Sequence, residues 1–119
     1  MNIQFENITF VLQPMIYHIT TPDYFALFDN NSEYEAASLA SEGFIHCSTL
    51  AQLKTSASRY YSNEPEIIVL TIDEQKLISE VKYEFAKIGQ EYPHIYGPIN
   101  KVAIIETRKY SNKNGNYEM

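Results

Sequence analysis

The chain has no tryptophan, one cysteine, four glycines and three histidines in 119 residues. The lone cysteine, Cys47, cannot close an internal disulfide, so a reducing, cytoplasmic setting is expected. Free cysteine of this kind reads as a small buried hydrophobe. Gly43, Gly89, Gly97 and Gly115 stand far apart, which excludes both G-x-G-x-x-G and the P-loop. No basic stretch leads into an apolar one after Met1, and no secretory leader is expected. The longest apolar runs, such as Ile67-Ile68-Val69-Leu70, are too short to span a bilayer, so no membrane role is expected. Positive charge is also scarce. Nine Lys and Arg against fifteen Asp and Glu leave a net charge of −6. Sequence-independent nucleic-acid binding needs clustered cations, so no broad nucleic-acid surface is expected, although a local basic pocket is compatible.

What is present is enough for a core. The hydrophobic fraction of 45% and ten tyrosines belong to a folded chain. The length suits one core. Residues 15–110 are expected to form a single domain, 1–14 an extension with a possible extra strand, and 111–119 a flexible tail. Residues 15–20 read as a strand. Thr21-Pro22-Asp23 reads as a helix start, with Tyr24, Leu27 and Phe28 as its apolar stripe. Residues 33–42, including Tyr34, suggest a turn or two of helix closed by Gly43. Residues 44–47 read as a second strand. Thr49 and Gln52 have capping-box spacing ahead of a helix carrying Leu50, Leu53, Ala57 and Tyr60. Residues 67–72 form a near-continuous apolar run, the mark of a central strand. A turn or short helix follows over 73–77, then a half-exposed strand over 81–88. Residues 89–98 read as a loop stiffened by two prolines, and 101–107 as the last strand. The result is an α+β domain without the regular alternation of a doubly wound sheet.

The three histidines each lie in an aromatic-aliphatic segment: Tyr17-His18-Ile19, Phe44-Ile45-His46-Cys47 and His94-Ile95-Tyr96-Gly97. Histidine is the side chain most suited to acid–base work near neutrality. Side chains alternate along a strand, so His18 shares a face with Thr20, and His46 with Ser48. If the two strands are neighbours, these four groups form one wall. The helix N-termini that follow them offer N–H groups to an anion. His94 and Tyr96 would be presented by the proline-stiffened loop. Glu84 and Arg59 are secondary candidates. No two histidines have local ligand spacing, so no metal is expected.

Several segments together carry a resemblance. They are Ile16-Tyr17-His18-Ile19, Glu42-Gly43-Phe44-Ile45-His46-Cys47-Ser48, Gln52, Arg59, Ile72-Asp73, Leu77, Glu84 and Pro93-His94-Ile95-Tyr96-Gly97-Pro98. Over about residues 15–107 the chain resembles the bacterial and plant family of domain of unknown function 952. That resemblance implies an ADP-ribosyltransferase-like fold, the fold of a group that includes the RNA 2′-phosphotransferases. Two split antiparallel sheets then flank a cleft that holds NAD in active relatives. His18 matches the first motif, which binds the adenosine-side ribose or nearby phosphate. His46 and Ser48 match the second, which holds the nicotinamide ribose. His94 and Tyr96 occupy the third-motif region. No residue clearly matches the late-strand glutamate of many transferases, for which Glu84 and Glu106 are only positional substitutes.

Two functions follow as expectations. One is NAD-dependent ADP-ribosyl transfer, or a related glycosyl or phospho transfer. His46 and His94 would be catalytic, and His18, Thr20, Ser48, Tyr96, Arg59 and Glu84 would bind ligand. The other is a non-catalytic module for a small-molecule nucleotide or phosphorylated metabolite. A metal-dependent hydrolase ranks third.

Overall fold

A computed structural model describes residues 14–86 and 89–119. The extra leading strand expected over 1–14 falls outside the described residues, Pro14 excepted. The apolar run at the middle of the chain organises the first sheet. β4 (Glu66–Asp73) lies between β1 (Met15–Thr20) and β8 (Ile104–Ser111), antiparallel to both. Alternation sends its side chains into two cores. Leu70 and Ile72 join Ile16, Tyr34, Ile45, Ile95 and Ile99 on one face. Ile67 and Val69 join Ile19 on the other, where α3 (Leu50–Tyr60) supplies Leu53 and Ala57. Each fully buried isoleucine or leucine here stabilises the fold by about 1.5–3 kcal/mol relative to an exposed one.

The second three-stranded sheet has the order β3-β6-β5, from β3 (Ile45–His46), β6 (Glu91–Tyr96) and β5 (Glu80–Phe85). A short ribbon pairs β2 (Glu33–Tyr34) with β7 (Ile99–Asn100). The two larger sheets meet where β1 touches the chain just after β3. Tyr17 N–H donates to the Ser48 carbonyl at 2.9 Å, and Ser48 N–H to the Tyr17 carbonyl at 2.7 Å. The helices α1 (Pro22–Ala26) and α2 (Ala37–Glu42) follow β1 and β2. Among the described residues no helix is long and apolar enough to cross a membrane. The architecture is mixed α+β.

Several expectations are corrected. Residues 89–98 are not a loop, because Glu91–Tyr96 is the middle strand of its sheet. Pro93 has no N–H to donate, but its carbonyl still accepts from Cys47 N–H at 3.0 Å, just beyond the paired residues of β3. Within 33–42 the expected turn or two of helix is Ala37–Glu42, closed by Gly43, while Tyr34 ahead of it pairs with Ile99 in the ribbon. Leu27, Leu50 and Tyr60, expected on buried stripes, are exposed. The last strand runs to Ser111. The frayed tail expected over 111–119 is tied down, with Tyr117 only 1% exposed.

Gly97 marks a close approach. A Cβ built there would collide with the Oγ and Cβ of Ser79, whose hydroxyl donates to the Pro98 carbonyl at 2.7 Å. Gly97→Ala is expected to destabilise the fold by about 1–3 kcal/mol, the usual range for overpacking. Adding Ser79→Gly should recover part of that loss in urea unfolding. An unchanged unfolding midpoint in the single variant would refute the clash.

Candidate functional site

A cavity of about 620 Å³ opens at the seam between the two sheets, and all three histidines line it. This is within the range of about 300–1,000 Å³ typical of small-molecule sites. β1 brings His18 and Thr20, β3 and the residues after it bring His46 and Ser48, and β6 brings His94. His46 and His94 are direct register partners in neighbouring strands, and their ring centroids are 5.4 Å apart.

The three imidazoles are held in different ways. His18 is buried, and both of its ring nitrogens are engaged. Nδ1 lies 2.7 Å from the His46 carbonyl, and Nε2 lies 2.9 Å from the Tyr34 hydroxyl. A carbonyl only accepts, so Nδ1 carries the proton and Nε2 receives the tyrosine's hydrogen bond. Burial pushes His18 down to about 4, against the raising effect of the His46 carbonyl, so it is neutral at pH 7. Burial likewise pushes the Tyr34 hydroxyl well above the usual tyrosine range. His18 therefore binds β1 to β2 and β3.

His46 is the exposed member of the trio. Its Nε2 lies 3.1 Å from both carboxylate oxygens of Glu42, at the end of α2. His94 is nearly covered. Phe44 stacks on it with centroids 4.0 Å apart, and its Nδ1 lies 2.8 Å from Glu84 Oε1. The same carboxylate oxygen accepts from the Tyr96 hydroxyl at 2.5 Å. The Tyr96 bond first, and the His94 bond second, hold the Glu84 carboxyl below the usual carboxylate range. Glu84 in turn raises Tyr96. No described residue hydrogen-bonds His94 Nε2.

The other expected site residues divide. Thr20 and Ser48 are on the wall, and the Ser48 hydroxyl donates to Ser56 Oγ at 2.9 Å. Glu84 and Tyr96 are not on the wall but behind His94. Arg59 is not brought to the cavity; it is exposed at the end of α3, its guanidinium 6.0 Å from the Tyr60 ring. Glu106 is also remote from the wall, paired with Arg108 at 2.7 Å. Cys47 is buried as expected, with its thiol pushed up by burial and secondarily by Glu74. The N–H groups expected to meet an anion are partly taken. Thr21 Oγ1 accepts from Tyr24 N–H at 3.3 Å, and Gln52 Oε1 from Thr49 N–H at 3.0 Å. Among the described residues no group of three or more His, Cys, Asp and Glu could hold a metal ion.

Sequence reasoning missed the tyrosines. Tyr17, Tyr24, Tyr34, Tyr60, Tyr61 and Tyr92 all line the cavity and give it flat apolar faces, with the hydroxyls of Tyr24, Tyr34 and Tyr61 bonded to protein. Their abundance was the available signal, but packing explains tyrosine abundance equally well.

Comparison with known proteins adds a family and a fold. The chain matches the family model described as "Protein of unknown function (DUF952)" over residues 19–107, starting one residue after His18. No curated protein matches. It is similar to the crystal structure of protein CC0527 from Caulobacter crescentus, with TM-score 0.79 and 21% identity, covering 87% of this chain and 93% of that one. A crystal structure of a double methionine mutant of CC0527 gives TM-score 0.78 at 20% identity, with the same coverage. The solution NMR structure of CC0527 gives 0.73 at 20% identity, covering 87% of this chain and 90% of that one.

Proposed function

Because the chain belongs to the family of proteins of unknown function DUF952, its chemistry is legible only in its own cavity, and we propose that this cavity takes a nucleotide such as NAD as substrate for ADP-ribosyl transfer. One observation carries the reading: three histidines from three strands open into a single hollow. Two antiparallel sheets flank that hollow, in keeping with an ADP-ribosyltransferase-like fold. The tyrosine faces suit heterocyclic rings.

In such a transfer the nicotinamide leaves with the electron pair of its bond to ribose. An acceptor oxygen bonds to the same carbon and gives up its proton. His94 Nε2, which no described residue occupies, takes that proton as general base. His46 lies beside it and holds the ribosyl group in place. Tyr96 and Glu84 act from behind His94, and Arg59 takes no part.

A binding module is the second reading, favoured by the way the wall's polar groups are used. Both nitrogens of His18 and the hydroxyl of Ser48 are already bonded to protein. The test is incubation with NAD and chromatography of released nicotinamide, with water and several hydroxyl acceptors. Release is expected, and His94→Ala should slow it about 10²–10⁴-fold. No release above the His94→Ala and His46→Ala controls rejects transfer. Calorimetric binding of NAD that is recovered unchanged then supports the module, and absence of binding rejects both.

A further inference from the structure

We propose that Glu84, held in place by Tyr96, is a positioning residue that fixes which nitrogen of His94 carries the proton and so presents Nε2 to the cavity as a proton acceptor. The inference rests on the reading of His94 as the acid–base group, but its test does not need turnover. The register explains the arrangement. On β5, Lys82 is opposite His94, and Glu84 is opposite Tyr92, two positions before His94 on β6. Glu84 therefore meets His94 diagonally, within reach of a long side chain. Tyr96 lies two positions beyond His94, opposite Glu80, and its hydroxyl still reaches Glu84. Its ring passes over Lys82 on the way, with Nζ 4.8 Å from the centroid. One carboxylate oxygen thus collects two donors, from His94 at 2.8 Å and Tyr96 at 2.5 Å.

An ionised carboxylate can only accept. His94 must then donate from Nδ1, and in the neutral ring the lone pair is at Nε2, the nitrogen with no described partner. Phe44 stacked on the ring blocks its rotation out of this plane. A carboxylate behind an imidazole is a general device for fixing tautomer and orientation. Tyr96 plays the supporting part by denying Glu84 other rotamers.

The test is nitrogen-15 NMR of the histidine rings at about pH 8.5, above the ordinary histidine range. Wild-type His94 is expected to show a protonated Nδ1 and a bare Nε2. Glu84→Gln keeps an acceptor and should keep that pattern. Glu84→Ala should shift the proton toward Nε2, and Tyr96→Phe should give a partial shift. His18 is the internal control for folding, because its Nδ1 proton is fixed by the His46 carbonyl in every variant. If turnover is found, Glu84→Ala should lower kcat about 10–100-fold with KM nearly unchanged, and Glu84→Gln should restore much of it. A wild-type His94 with its proton on Nε2 overturns the proposal without any variant. So does a Glu84→Ala spectrum identical to wild type. Failure to release nicotinamide with the expected tautomer intact would instead count against the transferase reading alone.

Discussion

Acidification from pH 6.5 to about pH 4 is expected to remove about 3 kcal/mol of stability through His18 alone. The folded protein holds this imidazole neutral, since a proton on it would be buried against Tyr34 and a β-sheet core. The unfolded chain takes up that proton below 6.5, whereas the folded chain resists it until about 4. Between these limits the unfolded state binds more protons, so stability falls as pH falls. The stabilisation is complete above 6.5, and the loss levels off below about 4. Glu84 adds a contribution that begins to fall below the ordinary carboxylate value and is lost as pH falls through its depressed one, because its carboxyl is held below the usual range. Urea unfolding at a series of pH values measures the slope. His18→Leu should flatten it in this window. It should also lower neutral-pH stability by about 3 kcal/mol, because the Tyr34 hydroxyl and the His46 carbonyl lose their partner. His18→Gln, which can still donate and accept, should keep part of that stability without the pH dependence. A wild-type slope equal to that of both variants would rule out the buried neutral histidine.

The same residue shows how far the sequence could be read. Strand alternation correctly places His18 with Thr20 and His46 with Ser48 on one wall, because period 2 survives wherever neighbouring strands pair. It could not show that His18 is already bonded on both sides. That depends on Tyr34, whose strand is two residues long and pairs with Ile99 and Asn100 some 65 positions away. A segment so short has no periodicity of its own, and it runs on into the residues of the helix Ala37–Glu42. The β6 strand was hidden for the opposite reason. Two prolines and two glycines within 89–98 are strong local turn signals, and pairing with strands on both sides overrode them. The consequence for the site is favourable, since His94 stands on a central strand and not on a loop. Local chemistry was legible where it is self-contained: Gly43 ends α2 with φ of 92°, and Gln52 closes its cap on Thr49. Arg59 shows the limit of helical reasoning, because a face can be assigned only when the partner packed against it is known.

Deleting residues 112–119, or replacing Tyr117 by Ala, is expected to cost about 3–5 kcal/mol, a core-sized loss from what the sequence presents as an end. Tyr117 fills the second core beside Ile19, Leu53, Ala57, Ile67 and Val69. Its hydroxyl is 2.7 Å from the carbonyls of both Tyr61 and Glu64, and Asn112 Nδ2 donates to the Ser62 and Glu64 carbonyls at 2.8 Å. These are carbonyls at and just beyond the end of α3, where the helix itself supplies no donors. The tail is therefore a cap as well as a core element. Tyr117→Phe isolates the cap and should cost about 1–2 kcal/mol, while Tyr117→Ala adds the cavity. The effect should reach the site, because Tyr61 lines the cavity and its hydroxyl donates to the Ile19 carbonyl at 3.1 Å. Loosening the end of α3 frees that ring. Urea unfolding of the truncated chain beside both point variants measures the ordering. A truncated chain as stable as the full one would show that the α3 end is held without Tyr117, and the cavity wall with it.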